Sequence, residues 1–318
     1  MLRSVLLNLS TAKWSRRLAT ESSLARRVAS RFVAGETLPD AIRAIRELNA
    51  RQVTATLDHL GESVVMADDA VRATEDYLGL LEEISKADLC ANASLKLSQL
   101  GQQLSLDLCA VNLRKILDRA KQKGIFVRID MEDSTCVDPT LGLYEQMRAL
   151  GYDNVGVVIQ AYLYRSQQDV EKLLSEGTRV RLCKGAYKEP AEIAFPNKRD
   201  VDKNYLALAK RLLETSQAAR LPADPRRCIP PLAAIATHDE RIIRAVAQYA
   251  REHNIARDQF EFQMLYGIRR DLQETLAAQG HAVRVYVPYG TEWYPYFMRR
   301  LAERPANLWF FISNFIRR

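Results

Sequence analysis

The sequence predicts an α/β fold, a (βα)8 TIM barrel, and three observations lead there. Short apolar runs alternate with amphipathic stretches from Val53 onward. The runs fall at 53–60, 93–98, 125–132, 155–163, 179–185, 231–238, 260–266 and 282–290, which makes eight. The stretches between them, at 68–87, 104–123, 137–150, 166–176, 202–218, 239–254 and 268–279, have helical length and spacing. Strands separated by such helices are parallel βαβ units, and eight of them in one chain fit a closed barrel. A doubly wound sheet is the alternative, but no glycine fingerprint follows the first run.

Residues 1–50 read as an N-terminal helical arm ahead of a barrel domain at 51–318. In "GETLPDAIRAIREL", Thr37 and Asp40 are candidate caps for a helix with apolar residues at helical spacing. The first 20 residues contain no acid, yet no cleavage site follows, so an amphipathic opening helix is preferred to a targeting presequence. The Pro-rich patch at 221–231 reads as a helix-to-strand loop, and "TEWYPYFMRRLAER" as the eighth helix. A terminal apolar segment, "NLWFFISNFIRR", is too short to span a membrane.

The chain has 318 residues and a formal charge of +7, but its basic residues are interleaved with acidic ones. A mixed, solvated surface therefore explains the excess better than a nucleic-acid groove. The five cysteines are odd in number and widely spaced, with neither zinc-ligand spacing nor a disulfide framework. Reduced thiols and a cytoplasmic location are expected.

Strand alternation carries the functional signal. Lys96 lies opposite Leu95 and Leu97; Arg128 and Asp130 share one face; Gln160 shares another with Val158; Arg179 and Arg181 share a third. The outer face of a barrel strand must be apolar to meet the helices, so these side chains are expected inside. Such a polar interior is either a set of mutually satisfied ion pairs or the bed of a polar ligand at the C-terminal mouth, where barrel enzymes work. At the strand ends, Gly185 and Ala186 in "RLCKGAY" would let a ligand approach the backbone. "IATHDERI" sets Thr237, His238 and Asp239 at a strand-to-helix turn, where Asp239 is also a natural N-cap. Arg299 and Arg300 on the last helix suit a carboxylate or a phosphate if that helix lies over the ligand, and are otherwise ordinary solvated arginines.

Taken together, "SLKLSQLG", "RIDMEDS", "VIQAYLYRS", "RLCKGAY", "IATHD", "FEFQMLYGI", "VRVYVPYG" and "RRLAE" resemble the proline dehydrogenase family. The similarity runs from about Arg31 to Arg304 and includes the proline dehydrogenase domain of bifunctional proline utilisation proteins. It implies a distorted barrel that binds FAD at its C-terminal face, with the eighth helix over the active site. By motif, Asp130 and Arg181 would be the catalytic positions. Lys96, Arg299 and Arg300 would grip the proline carboxylate, with Glu303 close by. Tyr187, Leu265 and Tyr286 would wall the ring. Met131, Gln160, Lys184, Gly185, Ala186, Thr237 and His238 would contact the flavin, and Glu62 would pair with a substrate arginine to close the pocket.

The reaction so implied moves a hydride equivalent from C5 of L-proline to flavin N5, leaving Δ1-pyrroline-5-carboxylate. Electrons would pass to a membrane quinone, with peripheral contact at the inner face of the membrane and coupling to a pyrroline-5-carboxylate dehydrogenase. The terminal segment, with Leu308, Phe311, Ile312 and Phe315 on one helical face, is a candidate contact. No metal is expected. Two other classes make different demands: a Schiff-base lyase needs Lys96 or Lys184 as an amine nucleophile, and a nucleic-acid scaffold needs clustered exposed cations.

Overall fold

Eight short parallel strands pair in sequence order, and the last pairs with the first. The strands are β1 (Thr54–His59), β2 (Ala91–Leu95), β3 (Val127–Ile129), β4 (Val155–Gln160), β5 (Val180–Cys183), β6 (Ala233–Ala236), β7 (Phe260–Leu265) and β8 (Ala282–Tyr289). This is a computed structural model, and it describes residues 29–61, 64–219, 224 and 226–303, with side chains to Arg300. The helices are α1 (Leu38–Ala50), α2 (Ala67–Lys86), α3 (Leu106–Gln122), α4 (Val137–Ala149), α5 (Ser166–Ser175), α6 (Lys198–Ala219), α7 (Glu240–Glu252), α8 (Arg270–Ala278) and α9 (Trp293–Glu303).

Alternation sorts each strand into two faces, as expected. Leu57, Leu95, Ile129, Val157, Leu182, Ile235, Phe262 and Val285 face the helices and belong to the main apolar core. Thr54, Thr56, Asp58, Asn92, Ser94, Arg128, Gln160, Arg181, Glu261, Gln263 and Arg284 are buried polar residues of the inner face. Small inner residues make room for the long ones. Arg181 registers with Ala234, and Arg128 with Gly156. A Cβ on Gly156 would collide with the Arg128 guanidinium.

The strands are shorter than the apolar runs. β3 stops at Ile129 and β5 at Cys183, so Asp130, Lys184 and Gly185 stand on the rim rather than in the ladder. Residues 97–100 form a 3-10 turn rather than the end of a strand. Arg179 also departs from expectation. It precedes β5 at the N-terminal mouth, and no ion pair holds it among the described residues. Its Nε donates to the Pro230 carbonyl at 2.8 Å, and its guanidinium lies 6.0 Å from the Phe126 ring centre. A backbone oxygen and a ring face satisfy this cation without a second buried charge.

Two helices set the shape of the active face. α1 begins at a reciprocal cap, with the Thr37 hydroxyl and the Asp40 carboxylate each bonding the other's backbone. Its Ala41, Ile42 and Ile45 pack into the main core beside β1 and β8. With that flank taken, α9 packs elsewhere. Trp293, Tyr294, Phe297 and Met298 form a second apolar cluster with Ala29, Phe32, Val33, Leu60 and Ile268. Phe32 and Phe297 stand 6.0 Å apart, and Trp293 Nε1 donates to Glu36 at 3.2 Å. The segment before α1 therefore holds α9 near the ends of β1 and β7, over the C-terminal mouth.

Among the described residues, no helix is long and apolar enough to cross a membrane, and no cluster of three metal-ligating groups occurs.

Candidate active site

The C-terminal mouth opens into a cavity of about 840 Å3, towards the upper end of the roughly 300–1,000 Å3 usual for small-molecule and cofactor sites. Its floor is built from the inner residues nearest the strand ends. Asp130, just past β3, accepts from Ser94 Oγ at 2.7 Å, Arg181 Nη1 at 2.7 Å and the Tyr286 hydroxyl at 2.6 Å. Arg181 Nε donates to Gln263 at 2.5 Å, and its guanidinium lies 5.3 Å from the Tyr286 ring centre. With both oxygens engaged, Asp130 holds cations and a hydroxyl in place and has little capacity left to act as a base.

Lys96 stands beside this group. Its Nζ is 3.3 Å from each Asp58 oxygen and 3.9 Å from Asp130. Burial works against the ammonium, but Asp58 and then Asp130 outweigh it and raise its pKa above the ordinary lysine value. A lysine held protonated is a poor amine nucleophile, which weakens the Schiff-base alternative. Lys184 is engaged as well, bonding Asp202 at 2.6 Å and Asp239 at 3.0 Å.

The walls come from loops and from α9. Tyr187 follows β5, and its phenol is pushed up to about 12, chiefly by burial and then by Glu132; Lys96 and Arg299 pull the other way, which places its hydroxyl in the field of both cations. Burial raises the Tyr286 phenol well above its usual value, with Asp130 adding to the effect, so it remains a donor at neutral pH. Arg299 and Arg300 line the cavity from α9, as does Tyr296, whose ring centre lies 5.1 Å from the Arg300 guanidinium. Arg299 has no hydrogen bond or ion pair among the described residues.

Further round the rim, Met131, Gln160, Gly185, Ala186, Thr237, His238 and Leu265 also line it. Gln160 is fixed by donating to the Glu132 carbonyl at 2.7 Å. His238 Nε2 accepts from the Leu265 amide at 2.9 Å, so the neutral ring carries its proton on Nδ1. Gly185 has φ +111°, and a Cβ there would strike the Tyr162 ring. Only glycine keeps the backbone open at that point. Asp239 caps α7 through the Arg241 amide while also holding Lys184, so its two expected roles coexist.

The family model described as Proline dehydrogenase matches residues 41–312. The chain belongs to the proline dehydrogenase family. Proline oxidation is therefore its reaction, and a flavin is the cofactor the family implies. It is 41% identical to "Proline dehydrogenase 1" of Bacillus subtilis subsp. natto over 318 residues, covering 100% of both chains. It is 42% identical to "Proline dehydrogenase" of Deinococcus radiodurans over 297 residues, covering 91% of this chain and 90% of the relative. Among solved structures, proline utilization A (PutA) from Bdellovibrio bacteriovorus, inactivated by N-propargylglycine, superposes with a TM-score of 0.77 at 28% identity. That match covers 87% of this chain and 32% of the other, so the chain spans about a third of the PutA protein.

In this member of the proline dehydrogenase family, fifteen of the sixteen expected site residues line one cavity. The exception is Glu303, which lies on α9 with its side chain outside the described residues, as Glu62, Arg304 and the terminal apolar segment do entirely. Two residues that shape the site were not singled out from the sequence. Asp58 supports Lys96, and Gln263 links Arg181 to the buried Glu261 carboxylate. The signal was present, since Asp58 and Gln263 occupy inward positions of "TATLDH" and "FEFQML" by the same alternation that exposed Arg181.

Proposed function

We propose that this chain oxidises L-proline to Δ1-pyrroline-5-carboxylate with FAD held in the C-terminal cavity. The observation that carries the reading is an excess of cationic donors where one end of the cavity meets α9. Among the described residues, Lys96, Arg181, Arg299 and Arg300 line it there beside two carboxylates, Asp58 and Asp130, and Arg181 Nη2 is buried with no hydrogen-bond partner. Arg128 also has buried Nε and Nη2 atoms without partners, but it lies below the cavity and does not line it. Of the Arg128 and Arg181 atoms so left, the Arg181 atom belongs to a residue that lines the cavity.

Both ligands fit these residues. Arg299 and Arg300 would take the proline carboxylate in a forked contact, with Lys96 as a fixed point charge. Tyr187, Leu265 and Tyr286 would close on the ring. The flavin would rest along Met131, Gln160, Lys184, Gly185, Ala186, Thr237 and His238, with Arg181 Nη2 turned to it. When bound, the flavin would supply the acceptor for the hydride equivalent from proline C5, with a quinone as the proposed final acceptor.

The protein's own work is to orient and to set the field. Asp130 holds Arg181 and Tyr286 at fixed positions, so their charge and dipole need not reorganise during the reaction. The surrounding cations disfavour a proton on the proline nitrogen, leaving its lone pair available as C5 loses hydride. A cytoplasmic enzyme that touches the inner face of the membrane to reach its quinone, and hands its product to a pyrroline-5-carboxylate dehydrogenase, is the setting this chemistry fits.

An absorption spectrum with and without proline tests the proposal. A yellow protein that bleaches on anaerobic addition of L-proline supports it. A colourless preparation that takes up no added FAD overturns it.

A further inference from the structure

The N-terminal mouth, at the far end of the barrel from the cavity, carries a pair of thiols that proline oxidation does not use. Cys90 immediately precedes β2, and Cys228 lies in the loop before β6, so they come from opposite sides of the ring of strands. Their loops are clamped together nonetheless. Arg226 Nη1 bonds the Asp88 carboxylate at 2.8 Å and Nη2 the Asp88 carbonyl at 3.0 Å. From inside the barrel, Arg284 Nη2 donates to the Arg227 carbonyl at 2.7 Å and lies 3.4 Å from that of Cys228.

Within that clamp the two sulfurs converge on one acceptor. The Arg226 carbonyl oxygen lies 2.7 Å from Cys90 Sγ and 3.9 Å from Cys228 Sγ. Both cysteines are half-buried, so small reagents can reach them. The neighbouring Cys90 thiol, and then Arg226, draw the Cys228 thiol below its usual pKa against the effect of its burial. The Cys228 thiol, with burial, raises Cys90. Cys109 and Cys136 are buried away from solvent. Burial also pushes the Cys183 thiol, at the active site, up to about 11.

We propose that Cys90 and Cys228 form a redox-closable dithiol, which a small-molecule disulfide converts to a bridge across the N-terminal mouth. The Cys228 thiolate attacks one sulfur of the reagent, forming a mixed disulfide and expelling one small thiolate. Cys90, giving its proton to solvent, then attacks the Cys228 sulfur and expels the second. One S–S bond forms in the protein, one breaks in the reagent, and the reagent leaves as two thiols. The bridge joins residues far apart in sequence, so it removes much freedom from the unfolded chain and should raise the melting temperature.

The test treats the flavin-loaded protein with glutathione disulfide and follows intact mass and non-reducing peptide maps. The expected product has lost two hydrogens, carries a Cys90–Cys228 cross-link, melts at a higher temperature and reverts with dithiothreitol. Cys90→Ser, with Cys90→Ala as a second variant, should trap one glutathione on Cys228. Cys228→Ser should react about tenfold more slowly or less, because the better thiolate is gone. Retained proline oxidation confirms that each variant is folded. Separate glutathione adducts on both cysteines of the unsubstituted protein, a bridge elsewhere, no reaction, or equal rates in the two single variants would each overturn the proposal.

Discussion

Arg284 and Arg181 point into the same barrel from β8 and β5, yet their surroundings differ in one respect. Arg284 Nε faces the Glu261 carboxylate at 3.0 Å, Nη1 donates to the Ala55 carbonyl at 2.9 Å, and Nη2 reaches the carbonyls of the Cys228 loop. Every nitrogen has a partner, and no water or ligand is needed to complete it. Arg181 has Gln263 on Nε and Asp130 with Ser94 on Nη1, while Nη2 is buried with none. Gln263 joins the two by donating to Glu261. One polar network thus has a finished lower end, which holds the barrel together, and an unfinished upper end at the cavity. A buried polar network can serve binding only where it leaves a group for the ligand to satisfy.

The largest effect should come from breaking the finished end. Glu261→Ala strands the Arg284 charge in the interior and should cost about 3–5 kcal/mol of stability, read as a lower urea midpoint. Replacing both residues with apolar ones should recover most of that loss. A Glu261→Ala protein as stable as the parent would show that the lower pair is not structural.

At the unfinished end the expected pattern inverts, with small stability changes and large kinetic ones. Arg299→Ala should raise KM for proline by about 10–100-fold, the equivalent of a lost charge-assisted hydrogen bond, while the protein remains yellow. Loss of flavin instead would assign Arg299 to the cofactor. Gly185→Ala should do the opposite. Strain at φ +111° and the collision with Tyr162 should cost roughly 1–3 kcal/mol locally, seen as weakened FAD retention in equilibrium dialysis. Tyr286→Phe removes the hydroxyl from Asp130 and should reduce kcat/KM by about tenfold, the equivalent of one hydrogen bond, with little change in melting temperature.

The smallest effect is a pH limb that sharpens the role assigned to Asp58. The folded-state pKa of Lys96 is raised, so its stabilising charge is fully present below the ordinary lysine pKa and is lost only as pH rises through the folded value. Proline KM should therefore show no Lys96 limb up to about pH 10, near the ordinary lysine value. In Asp58→Asn, burial is no longer outweighed to the same degree, and the alkaline rise in KM should move to lower pH. An unmoved limb would exclude Asp58 as the support of Lys96.

Much of this molecule was legible in the chain. Period-2 alternation placed Lys96, Asp130 and Arg181 inside a barrel, because a strand packed between helices and an interior has only two faces to assign. Motif resemblance then gathered residues from Lys96 to Arg300 into one site, and all those with described side chains line one cavity. Alternation alone did not say where strands end. β3 and β5 stop early because the rim residues turn to meet partners on other elements, as Lys184 does with Asp202 and Asp239.

The sequence by itself determined the fold class, the family and the side of each strand that carries charge, because these depend on local periodicity and ordered motifs. Only the tertiary structure decided which charges are finished and which are available. That distinction rests on distances between atoms far apart in sequence: Arg181 to Asp130, Lys96 to Asp58, Arg284 to Glu261, Cys90 to the Arg226 carbonyl. The resemblance had already set the last helix over the active site, and the structure supplied the reason: α1 occupies the flank beside β1 and β8, so α9 packs over the mouth. No pattern in a single chain encodes such a competition between two apolar helices for one surface.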